Sequence, residues 1–108
     1  MDNVLIPTSL TDDQMNDLIS DLQILIRQPS ISATNQGLEE CSILLSNMMK
    51  NAGIQTELLY LDLEEQVESR TMGQIPPVVY GGVKSKSNPS GKTILFYNHY
   101  DVAVSRSN

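Results

Sequence analysis

A chain of 108 residues, 40% hydrophobic and 19% charged, is a single-domain length that allows a modest core and excludes a disordered polyelectrolyte. No apolar run approaches the roughly 20 residues needed to cross a bilayer, and Met1 to Pro7 has neither the basic nor the long apolar region of a secretory signal. The net charge of −6 is uneven: residues 1–68 carry twelve acids against two bases, and residues 69–108 five bases against one acid, so the acidic first half argues against a nucleic-acid partner.

Thr11 to Arg27 reads as a helix. Met15, Leu18, Ile19, Leu22, Leu25 and Ile26 recur at spacings of three and four, which predicts one apolar stripe packed on a sheet. Thr11 with Gln14 fits a capping box, and Asp12, Asp13 and Asp17 sit where the helix dipole favours negative charge. Pro29 ends the helix, because the residue before a proline is pushed out of helical geometry. Ser30 to Gly37 is a polar connection. A second helix follows from Leu38 to Ala52, with Leu38, Cys41, Leu45, Met48, Met49 and Ala52 near one face and Gly53 as its left-handed terminator.

From Ile54 the period changes. Thr56 to Leu61 is a predicted strand, Asp62 to Gln74 is polar without clear pattern, and Pro76-Pro77 precedes a second strand over Val78 to Val83. Lys84 to Gly91 has turn composition, of hairpin type, and Thr93 to Tyr97 has the length and residue types of a buried third strand. Two helices then about three strands predict an α/β chain with helices on one face of a sheet. A buried strand so near residue 108 wants neighbours on both sides and cover on both faces, so the architecture reads as the front part of a larger domain.

Several motifs dissolve on inspection. Lys86 to Thr93 approximates a phosphate-binding loop, but Lys86 stands where its first glycine belongs and Thr93 leads into a strand instead of a helix. Glu64, Glu65 and Glu68 read as a solvated acidic face. Asn88-Pro89-Ser90 is no glycosylation acceptor, because proline occupies its middle position. Cys41 alone forms neither an internal disulfide nor a thiolate metal site, which fits a reducing cytoplasm, and on the apolar face of a helix it is an unsuitable nucleophile for His99. There is no Gly-x-Ser-x-Gly elbow.

His99 and Asp101 remain. His99 is the one histidine, at the end of an apolar run, and side chains two apart on an extended segment share a face. A neutral imidazole is a good zinc ligand, and a neighbouring carboxylate can orient it and raise its basicity. The bland alternative is a hydrogen-bonded strand-end histidine beside a surface aspartate.

Leu95-Phe96-Tyr97-Asn98-His99-Tyr100-Asp101-Val102 resembles the first metal motif of the zinc aminoacylase, desuccinylase and carnosinase-like dipeptidase family (peptidase family M-twenty), an apolar strand followed by Gly-His-x-Asp-Val. Upstream, Leu25 to Ser32 resembles the family's helix-ending Pro-Ser segment, and Asn51-Ala52-Gly53-Ile54 its next helix end. Val79-Tyr80-Gly81 and Gly91-Lys92-Thr93 resemble the hairpin before the metal strand. The resemblance runs in order from about Leu18 to Val102. Asn98 departs from the usual glycine, and Tyr100 leans toward the dipeptidase branch.

The resemblance implies the N-terminal part of the three-layer catalytic domain of a two-zinc exopeptidase, spanning 1–108, with the rest of that domain and a lid or dimerisation domain outside it. His99 would be a metal ligand, and Asp101 the catalytic-site residue that clamps it. Two zinc ions, or cobalt in their place, would be the cofactor. Small peptides or N-acyl amino acids would be the substrates, a homodimer the assembly, and neither nucleic acid nor membrane a partner. The family's bridging aspartate and its Glu-Glu pair lie downstream of His-x-Asp, and the given sequence stops seven residues after Asp101. One histidine and one orienting aspartate hold no zinc at useful affinity, so inactivity is expected for these residues alone. The alternatives are a small non-catalytic α/β binding module and a pseudoenzyme fragment competing for an assembly interface.

Overall fold

The computed structural model describes residues 9–61 and 75–103. They form two helices, α1 (Asp12–Arg27) and α2 (Leu38–Asn51), and two strands, β1 (Gln55–Leu59) and β2 (Val78–Gly82), paired antiparallel. This is a small mixed α/β arrangement. No helix among the described residues is long and apolar enough to cross a membrane.

α1 begins with the expected capping box. Thr11 Oγ1 accepts from the Gln14 amide at 3.1 Å, and Gln14 Oε1 accepts from the Thr11 amide at 2.9 Å. Each end carries the charge its dipole favours, Asp12 and Asp13 at the start and Arg27 at the finish. Gln28 is extended, as a residue before proline should be. The predicted packing of its stripe is corrected: α1 buries no residue, with Leu18 52% and Ile26 72% exposed.

Between the helices, Ile31 and Gln36 exchange backbone hydrogen bonds of 2.9 and 3.1 Å, closing the polar connection into a small loop. Gly37 then enters α2 at φ 74. α2 ends in the arrangement its glycine foretells: Gly53, at φ 88, donates to Lys50 O, and Ile54 donates to Met49 O. These are the paired bonds of a Schellman terminator.

α2 packs on one face of the two-stranded sheet. Thr56 lies opposite Gly81 and Leu58 opposite Val79, and these half-buried pairs face the helix, while Leu59, Val78 and Tyr80 lie exposed on the other side. The buried centre is small: Leu38 and Cys41, with Ser30, Ser42 and Ser46 where elements approach closely. Gly81 makes room for α2, since a Cβ there would fall on Met49 Cε and within 2.8 Å of Ile54 Cγ2. Gly81→Val should therefore destabilise the chain by about 1–3 kcal/mol through overpacking. Gly82→Ala meets only Tyr80 Oη at 3.7 Å and should be tolerated. Urea denaturation of both checks this, and equal effects would contradict the packing described.

Thr93 to Tyr97 corrects the third-strand expectation. The segment belongs to no ladder, and Leu95 and Phe96 are 84% and 82% exposed. An apolar strand needs partners along its edges, and β1 and β2 pair with each other. The turn over Lys84 to Gly91, held by Gly91 N donating to Asn88 O at 3.0 Å, thus leads from β2 into an unpaired segment and is no hairpin.

Candidate metal-binding site

The segment rejoins the body of the chain at Tyr100 to Val102. Val102 N donates to Ser30 O at 2.8 Å, making a parallel bridge between Ile31 and Val102. The Tyr100 hydroxyl donates to Pro77 O at 2.5 Å, and the buried Cys41 thiol lies 3.9 Å from Tyr100 O. Tyr100 therefore turns toward the body.

His99 and Asp101, on either side of it, come together. His99 Nδ1 lies 3.3 Å from Asp101 Oδ1, with the two side chains 70% and 36% exposed. The Tyr97 ring meets the imidazole edge-on, centroids 5.4 Å apart at 75°. The carboxylate can only accept, so it favours the proton on Nδ1 and leaves Nε2 with its lone pair. That is the orientation a zinc-ligating histidine needs.

The pair offers one ligand nitrogen and its orienting carboxylate. Among the described residues no group of three His, Cys, Asp or Glu side chains converges to hold a metal. The donor chemistry fits part of a zinc site and does not make a whole one. Glu64, Glu65 and Glu68 lie outside the described residues. Cys41 is bonded toward Tyr100 O and not toward His99, so the pair is not a thiol–imidazole dyad.

Tyr100 is the site neighbour that spacing alone did not single out. Its signal was the same alternation that pairs His99 with Asp101, which sends the residue between them to the opposite side. Burial pushes the Tyr100 phenol above its ordinary value of 10.0, and its electrostatic interactions with Cys41, Asp101 and Tyr60 push the same way. A phenol raised in the folded state contributes stability that is full below pH about 10 and lost as pH rises through the folded value. Tyr100→Phe should remove that part of the alkaline loss in the metal-free chain. Denaturation midpoints measured across pH 8 to 11 check it, and an identical alkaline fall in both proteins would contradict it.

Comparison with protein-family models, curated proteins and solved structures finds no match to the chain.

Proposed function

We propose that this chain is the N-terminal part of a zinc-dependent hydrolase that cleaves amide bonds in small peptides or N-acyl amino acids. The observation that carries the reading is the His99–Asp101 pair: an imidazole whose Nδ1 lies 3.3 Å from a carboxylate, at the end of an apolar segment. The exposed run Ile94 to Tyr97 supports it, because such a segment suits the interior of a larger sheet supplied by further residues.

In this reading His99 supplies one ligand through Nε2, and Asp101 fixes the ring and its tautomer. A zinc pair, when bound, supplies Lewis acidity toward the scissile carbonyl and makes water more acidic. In this reading the remaining ligands, and the base that takes the water's proton, would lie downstream of the His99-Tyr100-Asp101 run, as in the family it resembles. Cobalt could replace zinc with the same ligand set, and a dimer of the whole protein is part of the same proposal. The test is zinc-dependent dipeptide or N-acyl amino acid hydrolysis by the polypeptide encoded through and past Asn108, with and without His99→Ala. Loss of activity in the variant supports the reading. Undiminished zinc-dependent activity sinks it.

A further inference from the structure

We propose that Tyr100, the middle residue of the His99-Tyr100-Asp101 run, is a positioning residue that aims His99 by anchoring the backbone between it and Asp101. The inference rests on the reading of His99 as a metal ligand. It starts from a difficulty: residues 93–99 belong to no ladder, and Ile94 to Tyr97 are exposed, so backbone pairing before His99 does not orient it.

The orientation comes from attachments at Tyr100 and Val102. Val102 N donates to Ser30 O, the Cys41 thiol approaches Tyr100 O, and the Tyr100 hydroxyl reaches Pro77 O. Only the last is made by a side chain of the segment itself. Pro77 is buried and immediately precedes β2, whose register with β1 is fixed, so the hydroxyl ties the site to the sheet. In an extended backbone, successive side chains alternate in direction. Turning Tyr100 inward therefore sends His99 and Asp101 outward together, within 3.3 Å of each other. A small side chain at position 100 would remove the tie to Pro77 O and leave the peptide between His99 and Tyr100 without an anchor, so that the pair is free to part.

The consequence is readable without metal. The chain has one histidine, so its imidazole nitrogen resonances are unambiguous. With 15N-labelled metal-free chain, at a pH well above the usual histidine range, the ratio of Nδ1–H to Nε2–H tautomers reports the contact with Asp101. Wild type should show an excess of Nδ1–H. Tyr100→Leu should lose that excess as fully as Asp101→Asn does, and Tyr100→Phe, which keeps the ring but not the bond to Pro77 O, should lose part of it. A merely structural role for Tyr100 would alter stability and leave this ratio unchanged.

A wild-type ratio in Tyr100→Leu, alongside a changed one in Asp101→Asn, would overturn the proposal. So would the absence of any Nδ1–H excess in wild type. If Tyr100→Leu does not fold, Tyr100→Phe decides, and a wild-type ratio there overturns the proposal equally. The hydrolysis test of His99→Ala is independent of this ratio, so failure of the metal reading and failure of the positioning role are distinguishable.

Discussion

Gly37→Ala is expected to cost about 3 kcal/mol, the sum of a left-handed backbone that alanine resists by 1–2 kcal/mol and an overpacking term of similar size. Gly37 has φ 74, and a Cβ there would strike the Pro29 carbonyl oxygen and lie 2.7 Å from the carbonyl carbon. Backbone atoms cannot swing aside as a side-chain tip can, and the Pro29 carbonyl lies against Gly37, the residue before α2, as the closed Ile31–Gln36 loop brings the two together. Relief would require the loop to open or the start of α2 to slide. Either movement disturbs the two supports of Tyr100 and Val102, Cys41 on α2 and Ser30 O in the loop.

Gly53→Ala is the natural comparison. Gly53 has φ 88, but a Cβ there meets nothing within 4 Å, so only the conformational cost of about 1–2 kcal/mol applies. Urea denaturation of both variants should place Gly37→Ala well below Gly53→Ala. Equal midpoints would contradict the close approach of Pro29 to Gly37.

Under the proposed hydrolase function, the second large effect is expected at the His99–Asp101 pair. In the polypeptide continued past Asn108, His99→Ala should reduce zinc-dependent hydrolysis to background. Asp101→Asn should reduce zinc affinity or activity by about 10–100-fold, the range for groups that orient a ligating histidine. Asparagine keeps the shape of the side chain but loses the charge that favours the proton on Nδ1. The graded pair separates a ligand from its orienting group. Equal total loss in both variants would make Asp101 itself a ligand, and no loss in either would remove the site. Zinc titration by calorimetry gives the affinity, and hydrolysis of a small peptide gives the activity.

Local features were legible in the sequence where short-range physics decides them. The Thr11–Gln14 capping box, the stop before Pro29 and the left-handed Gly53 depend on residues within one turn, and each occurs. The two strands also occur, though β1 begins at Gln55 and ends at Leu59, short of Leu61. Their mutual antiparallel pairing was not legible, because residues 60–77 separate them and no tight turn sets the register.

Long-range features went differently. The periodic stripe of α1 identifies a helix but does not say what covers it, and Leu18 and Ile26 face outward. Likewise, the composition of Thr93 to Tyr97 indicates a taste for burial without supplying strands to satisfy it. The His99–Asp101 proximity followed from two-residue alternation and is present at 3.3 Å. The anchoring of Tyr100 on Pro77 O was hidden, since it joins residues 23 positions apart through a backbone carbonyl that no side-chain pattern marks.

The exposed faces also distinguish the two leading functional readings. A binding module should melt in one cooperative step as a monomer, whereas a partial domain with exposed apolar surface and free strand edges should melt broadly or aggregate. The most direct test of the central proposal is to sequence the transcript 3′ of the Asn108 codon. The frame is expected to continue to an aspartate some tens of residues on and then to a Glu-Glu pair, the groups needed to complete a two-zinc centre with His99. A stop codon directly after Asn108 would contradict the hydrolase reading for this chain and leave the His99–Asp101 pair without partners for its chemistry.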